Sequence, residues 1–133
     1  MIQQDYIMRL IREFFAALAK AMEKDEIESR TEAIHTLYEQ YLGSYERFQN
    51  TTAEEAIDRI SLVYPEEQCM ARIEMLAELY YAESDIRVYP ISETLLERAM
   101  HLFEYIDTHS GVYSILRLKK IEKIREIINS RRH

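Results

Sequence analysis

Glycine and proline are scarce: the chain has two of each in 133 residues. All-β folds need many tight turns, and tight turns draw heavily on those residues. The scarcity therefore points to helices. Gly43 and Gly111 stand alone, which leaves no glycine-rich loop to cradle a phosphate and removes the dinucleotide-binding and P-loop signatures. A single cysteine, Cys69, excludes an internal disulfide. Arg9, Arg12 and Glu13 interrupt the apolar N-terminus before a signal-type run develops, so a reducing, cytoplasmic setting is expected. No run approaches the ~20 apolar residues of a membrane span. No serine lies in a G-x-S-x-G elbow, and there is no H-E-x-x-H, paired C-x-x-C or calcium loop.

What is present describes a globular chain: 47% apolar and 31% charged residues. The length predicts one domain, residues 1–133, able to bury about two thirds of the surface it exposes when unfolded. The periodicity predicts six helices. The first, over 4–24, carries Ile7, Leu10, Ile11, Phe14, Phe15, Leu18, Ala21 and Met22 on one side, with Arg9, Arg12, Glu13, Lys20, Glu23 and Lys24 on the other. Its apolar arc spans roughly 200°, wider than the ~100° stripe of an ordinary surface helix, which predicts packing on two sides. Its polar face balances acids against bases, unlike the strongly basic face of a membrane-surface helix.

Ser29 with Glu32 reads as a capping box that opens a second helix, and Thr52 with Glu55 as one that opens a third. Gly43 offers a C-terminal cap to the second helix, which could otherwise run on through Tyr45 to Phe48. Pro65, Glu66 and Glu67 suit the start of a fourth. Residues 85–91 form the longest non-helical segment, with Val88-Tyr89 extended ahead of Pro90. Ser92 is expected to cap a fifth helix, residues 107–111 to turn, and a basic helix to fill 112–131.

Helical hairpins over 29–64 and 66–107 can be overlaid around Ala56 and Ala99, small residues that allow close helix approach. This pairing resembles the tetratricopeptide pattern, although the usual first-helix glycine is absent and Pro65 matches the repeat-end proline only loosely. The expected fold is all-α, about six helices in antiparallel hairpins, arranged as a tetratricopeptide-like right-handed stack or as a closed helical bundle. The N-terminal run Asp5-Tyr-Ile-Met-Arg-Leu-Ile-Arg resembles the opening D-Y-[IL]-[ML]-R-[LM]-I signature of a family of short, uncharacterised bacterial proteins. The resemblance covers residues 2–19. It implies a bacterial origin and an unknown function, and it transfers no site residue.

Little in the sequence carries chemistry. Glu32-x-x-His35 lacks the second such motif that a di-iron bundle needs. Cys69 begins a helix beside Glu66 and Glu67, whose charges oppose a thiolate. No catalytic set, metal site or cofactor site is expected, and the chain reads as a non-enzyme. Ten tyrosines stand against no tryptophan. Tyr38, Tyr41 and Tyr45 share one helix face, and Tyr80, Tyr81 and Tyr89 surround the long link. With Phe14 and Phe15 they are the candidate interaction surface, since tyrosine offers a rigid ring and a hydroxyl; a helix-packing seam would use the same spacing. The net charge of −7 is uneven: residues 117–133 hold seven basic against two acidic side chains, an excess of +5 that leaves −12 on the rest. Lys119, Lys120 and Lys123 are candidate anion contacts, although the negative total opposes nucleic acid. The expectation is a helical scaffold that binds an unidentified protein or itself, as in a homodimer, with no membrane role. A nucleic-acid-associated regulator using the C-terminal helix is the alternative.

Overall fold

A computed structural model describes residues 2–131, with side chains from Asp5 onward. Six α-helices and one 3-10 turn account for the regular structure, with no strand among the described residues: α1 Ile2–Met22, α2 Ile27–Leu42, a 3-10 turn Glu46–Phe48, α3 Ala53–Val63, α4 Glu66–Ser84, α5 Ile91–His109 and α6 Ile115–Arg131. The all-α, six-helix expectation holds. Arg132 of the basic end and His133 lie outside the described residues.

The bundle is organised around α4. Ala71, Ile73, Met75, Leu76, Ala77, Leu79, Tyr80 and Ala82 are all buried, and they point in every direction around the helix. Such a helix needs cover on all sides. It has α1, α2, α3 and α5 packed on it. The wide apolar arc of α1 is divided between α2 and α4, with Phe14 fully buried and its ring edge-on to Tyr41 at 5.2 Å. α6 packs on α5 and buries Ile121, Ile124 and Ile128.

The α4–α5 hairpin matches the expected 66–107 unit. The 29–64 hairpin is not formed: α2 packs on α1 and α4, and α3 packs on α4 and α5. A repeat stack would lay α2 along α3. The all-round apolar surface of α4 draws each of them onto itself instead.

Local signals were met unevenly. Thr52 and Glu55 form the expected capping box: Thr52 Oγ1 accepts from the Glu55 amide at 3.1 Å, and the Thr52 amide donates to Glu55 Oε1 at 2.9 Å. Gly43 ends α2 at φ +84°, donating its amide to the Glu39 carbonyl at 3.1 Å. Ser29 caps nothing. The second helix starts earlier, at Ile27 after Glu26, and Arg30 ties its first turn back to the Lys24 carbonyl at 2.8 Å. Ser92 is likewise inside its helix. The Ser92 amide donates to the Val88 carbonyl at 3.0 Å, closing a turn over Tyr89 and Pro90 that contains a cis Tyr89–Pro90 peptide. At the far end α5 runs on to His109, past the turn expected from Asp107.

Candidate functional site

Half of the residues singled out as an interaction surface are core. Phe14, Tyr38, Tyr41 and Tyr80 are buried; Tyr45 and Tyr81 are half-buried; Phe15 and Tyr89 are exposed. The structure gathers three of the tyrosines around a residue the sequence reading missed, Glu83, which is 1% exposed. Tyr38 Oη donates to Glu83 Oε1 at 2.7 Å and Tyr45 Oη to Oε2 at 2.5 Å. Gln49 Nε2 approaches Oε1 at 3.4 Å, and Arg87 Nη1 lies 3.5 Å from Oε2. Tyr80 Oη donates to the Phe48 carbonyl at 2.5 Å, and Arg98 Nη1 to the Gln49 carbonyl at 2.7 Å. These bonds pin residues 45–49, which link α2 to α3, onto α4 and α5. A buried carboxylate is tolerated only when its acceptor sites are filled, and here four donors surround it.

The phenols respond to this setting. Burial first, and then the charge and hydrogen bond of Glu83, push the Tyr38 hydroxyl well above the ordinary tyrosine value of 10.0. Burial, the Glu83 hydrogen bond and its charge push Tyr45 upward too, and burial raises Tyr80. Tyr45 also stacks on His35, with centroids 3.5 Å apart, so the histidine of the Glu32-x-x-His35 motif serves an aromatic contact. Among the described residues no group of three or more His, Cys, Asp and Glu side chains is placed to hold a metal ion. Cys69 is half-buried, with Sγ 3.3 Å from the Pro65 carbonyl, and burial together with Glu66 and Glu67 raises its thiol.

One signal could have revealed Glu83. Apolar residues surround α4 on every side, so a charge on that helix has no wet face and must find partners inside. The same reasoning covers Arg72, which donates to the Tyr41 carbonyl at 2.6 Å and to Gln68, and Glu78.

Four of the basic side chains of α6 are tied to other elements. Lys120 Nζ binds both oxygens of Glu78, at 2.7 and 2.9 Å. Arg125 pairs with Glu104 at 2.7 Å, and the buried Arg117 with Asp107 at 3.0 Å. Arg131 donates to Ser92 Oγ at 2.9 Å. Of the three candidate anion contacts, Lys119 and Lys123 remain exposed.

Two short runs of exposed apolar side chains, at the end of α3 and around the α5–α6 connection, lie toward the same end of the chain's α5 helix. α3 runs parallel to α5, since Ala53 and Glu54 lie by His101 while Ile57 and Asp58 border a cavity with Tyr105 and Thr108. The end of α3 therefore emerges beside the α5–α6 connection. There Leu62 is 87%, Leu116 78% and Tyr113 74% exposed, and Val63, Val112 and Ile115 are exposed as well. Glu66 and Glu67 follow Val63 on one flank, and Lys119 follows Leu116 on the other. A second concavity of about 440 Å³ opens between α1 and α6 over α4, with Leu18, Met22, Leu96 and Ile127 below and Tyr81, Lys120 and Glu78 at its side. It brings together Tyr81 and Lys120, which the sequence reading had assigned to different surfaces.

The chain matches no protein-family model, no curated sequence and no solved structure. Among the described residues no helix is long and apolar enough to cross a membrane.

Proposed function

We propose that this protein is a non-enzymatic helical scaffold that associates with a second copy of itself through the apolar end of the bundle. The observation that carries the reading is the exposure of six apolar side chains, Leu62 and Val63 at the end of α3 and Val112, Tyr113, Ile115 and Leu116 in and after the α5–α6 connection. Large apolar side chains left in water at this density favour association that covers them. A second copy is the favoured occupant because the flanks are oppositely charged, with Glu66 and Glu67 beside Val63 and Lys119 beside Leu116. A two-fold axis through such a patch sets the acidic flank of each copy against the basic flank of the other. The buried Glu83 network supports the scaffold part of the reading: it spends the tyrosine hydroxyls on holding one backbone arrangement. The resemblance at the N-terminus adds a bacterial origin to the same reading, and the single cysteine a reducing, cytoplasmic setting.

Sedimentation equilibrium across a wide concentration range tests it. The wild-type chain should sediment as a dimer, and Leu116→Glu and Leu62→Glu should be monomeric with unchanged thermal melting, because neither side chain is in the core. A wild-type chain that stays monomeric at the highest concentration overturns the proposal. Nucleic-acid contact through α6 is the weaker reading, since Arg117, Lys120 and Arg125 already have acidic partners.

A further inference from the structure

We propose a second, independent site: a pocket between the 49–50 link and the start of α5 that binds a small phosphate-type dianion, either inorganic phosphate or a compact phosphate monoester. The pocket is a concavity of about 240 Å³ lined by Gln49, Asn50, Arg87, Thr94, Leu95 and Arg98, with Pro90 and Ile91 at its edge. Its lining holds two guanidinium groups and no acidic side chain, although the chain as a whole carries −7. Guanidinium is the side chain best matched to phosphate oxygens, through paired N–H donors in a fixed plane.

The two arginines are positioned by different parts of the fold. Arg98 on α5 is anchored by its Nη1 bond to the Gln49 carbonyl at 2.7 Å, with its guanidinium carbon 5.7 Å from the Tyr80 ring centre. Arg87, after α4, reaches Glu83 only at 3.5 Å, a carboxylate that already accepts from Tyr38 and Tyr45. Glu83 thus orients Arg87 through Nη1. Glu54 and Glu97 are further nearby acids, lining the adjoining cavity with Arg98. The Asn50 amide and Thr94 hydroxyl add neutral polar groups, and the first turn of α5 adds the positive end of a helix dipole. Arg87 also borders a neighbouring cavity of about 400 Å³ with Val88 and Tyr89, which gives a monoester's organic group a place to lie. It also gives the exposed Tyr89 a use that the core does not.

The test is a ¹H–¹⁵N titration of the whole chain with inorganic phosphate, and separately with phenyl phosphate, at constant ionic strength set by chloride. Saturable shifts of the Arg87 and Arg98 Nε–H signals and of the Ile91 and Thr94 amides are expected. Arg87→Gln should keep the dispersed spectrum of the folded protein, because Glu83 retains Tyr38, Tyr45 and Gln49, and should weaken binding about tenfold or more, the loss expected for one hydrogen bond to a charged group. Tighter binding of phenyl phosphate, with added shifts at Tyr89, identifies a monoester; tighter binding of inorganic phosphate identifies the free anion. If Arg98→Gln fails to fold, Arg87→Gln alone decides. Non-saturating shifts, shifts confined to α6, or unchanged affinity in a folded Arg87→Gln variant overturn the site. None of these outcomes depends on whether the chain dimerises.

Discussion

Tyr38 on α2 donates its phenolic hydrogen to Glu83 on α4 across 2.7 Å, with both side chains closed off from water. Removing one donor leaves a buried carboxylate short of a partner. Tyr38→Phe should therefore cost about 1.5–3 kcal/mol, the range for a hydrogen bond to a charged group. Tyr45→Phe should cost less, because its half-exposed position lets water replace the hydroxyl. Urea unfolding of both variants checks the order. A Tyr38→Phe variant within about 0.5 kcal/mol of wild type, the ordinary range for surface changes, would show that the contact does not hold the fold.

The same pair sets an alkaline limit. Tyr38, Tyr45 and Tyr80 have hydroxyls raised above the ordinary value of 10.0. The folded state holds those protons more tightly than the unfolded chain. The resulting stability is fully present below pH 10.0 and is lost as pH rises above it through the folded values. Absorbance titration of the native protein should show the buried tyrosines ionising only with unfolding, late and cooperatively. A single smooth titration of all ten near the ordinary value would contradict the structure.

Glu74 predicts an effect of opposite sense to the usual paired carboxylate. Burial, then the charge of Glu78, raises its carboxyl above 4.5, with Arg117 and Lys120 only partly opposing. Its folded form prefers the proton, so its favourable contribution exists below pH 4.5 and disappears as pH rises through the folded value. Glu74→Gln should thus raise the melting temperature at neutral pH, and the gain should shrink in acid. A destabilised variant at pH 7 would mean that attraction to Arg117 and Lys120 outweighs burial.

Gly43 isolates a backbone effect. Its φ of +84° is left-handed, yet a Cβ there would meet only Tyr64 Oη, at 3.9 Å. Gly43→Ala should therefore cost about 1–2 kcal/mol from the backbone alone, and Gly43→Asn less, since asparagine tolerates that conformation. Chemical denaturation of the two variants separates this from a steric clash, in which asparagine would be the worse.

The parts legible in advance were those governed by near neighbours in the chain. Thr52 and Glu55 are three residues apart and satisfy each other, so their capping box could be read directly. The same pattern at Ser29 and Glu32 misled, because the chain between α1 and α2 is drawn tight by Arg30 reaching the Lys24 carbonyl, which starts the helix earlier. Tyrosine spacing announced one face for Tyr38, Tyr41 and Tyr45; the first two are packed on α2, while Tyr45 lies beyond the helix end at Leu42. Periodicity registers a buried seam and a binding surface alike. Lys119, Lys120 and Lys123 read as one basic face, but Glu78, 42 residues away, takes Lys120.

Composition and periodicity alone established an all-helical chain with no internal disulfide and helices close to those observed, because helix formation depends on residues three and four apart. Tertiary structure decided the rest. It made α4 the centre, kept α2 and α3 from pairing, sank Glu83 among tyrosines, and left Leu62 and Leu116 bare at the same end. Those outcomes depend on which apolar surfaces find cover and which polar atoms find partners, and the pairs involved lie dozens of residues apart in the chain.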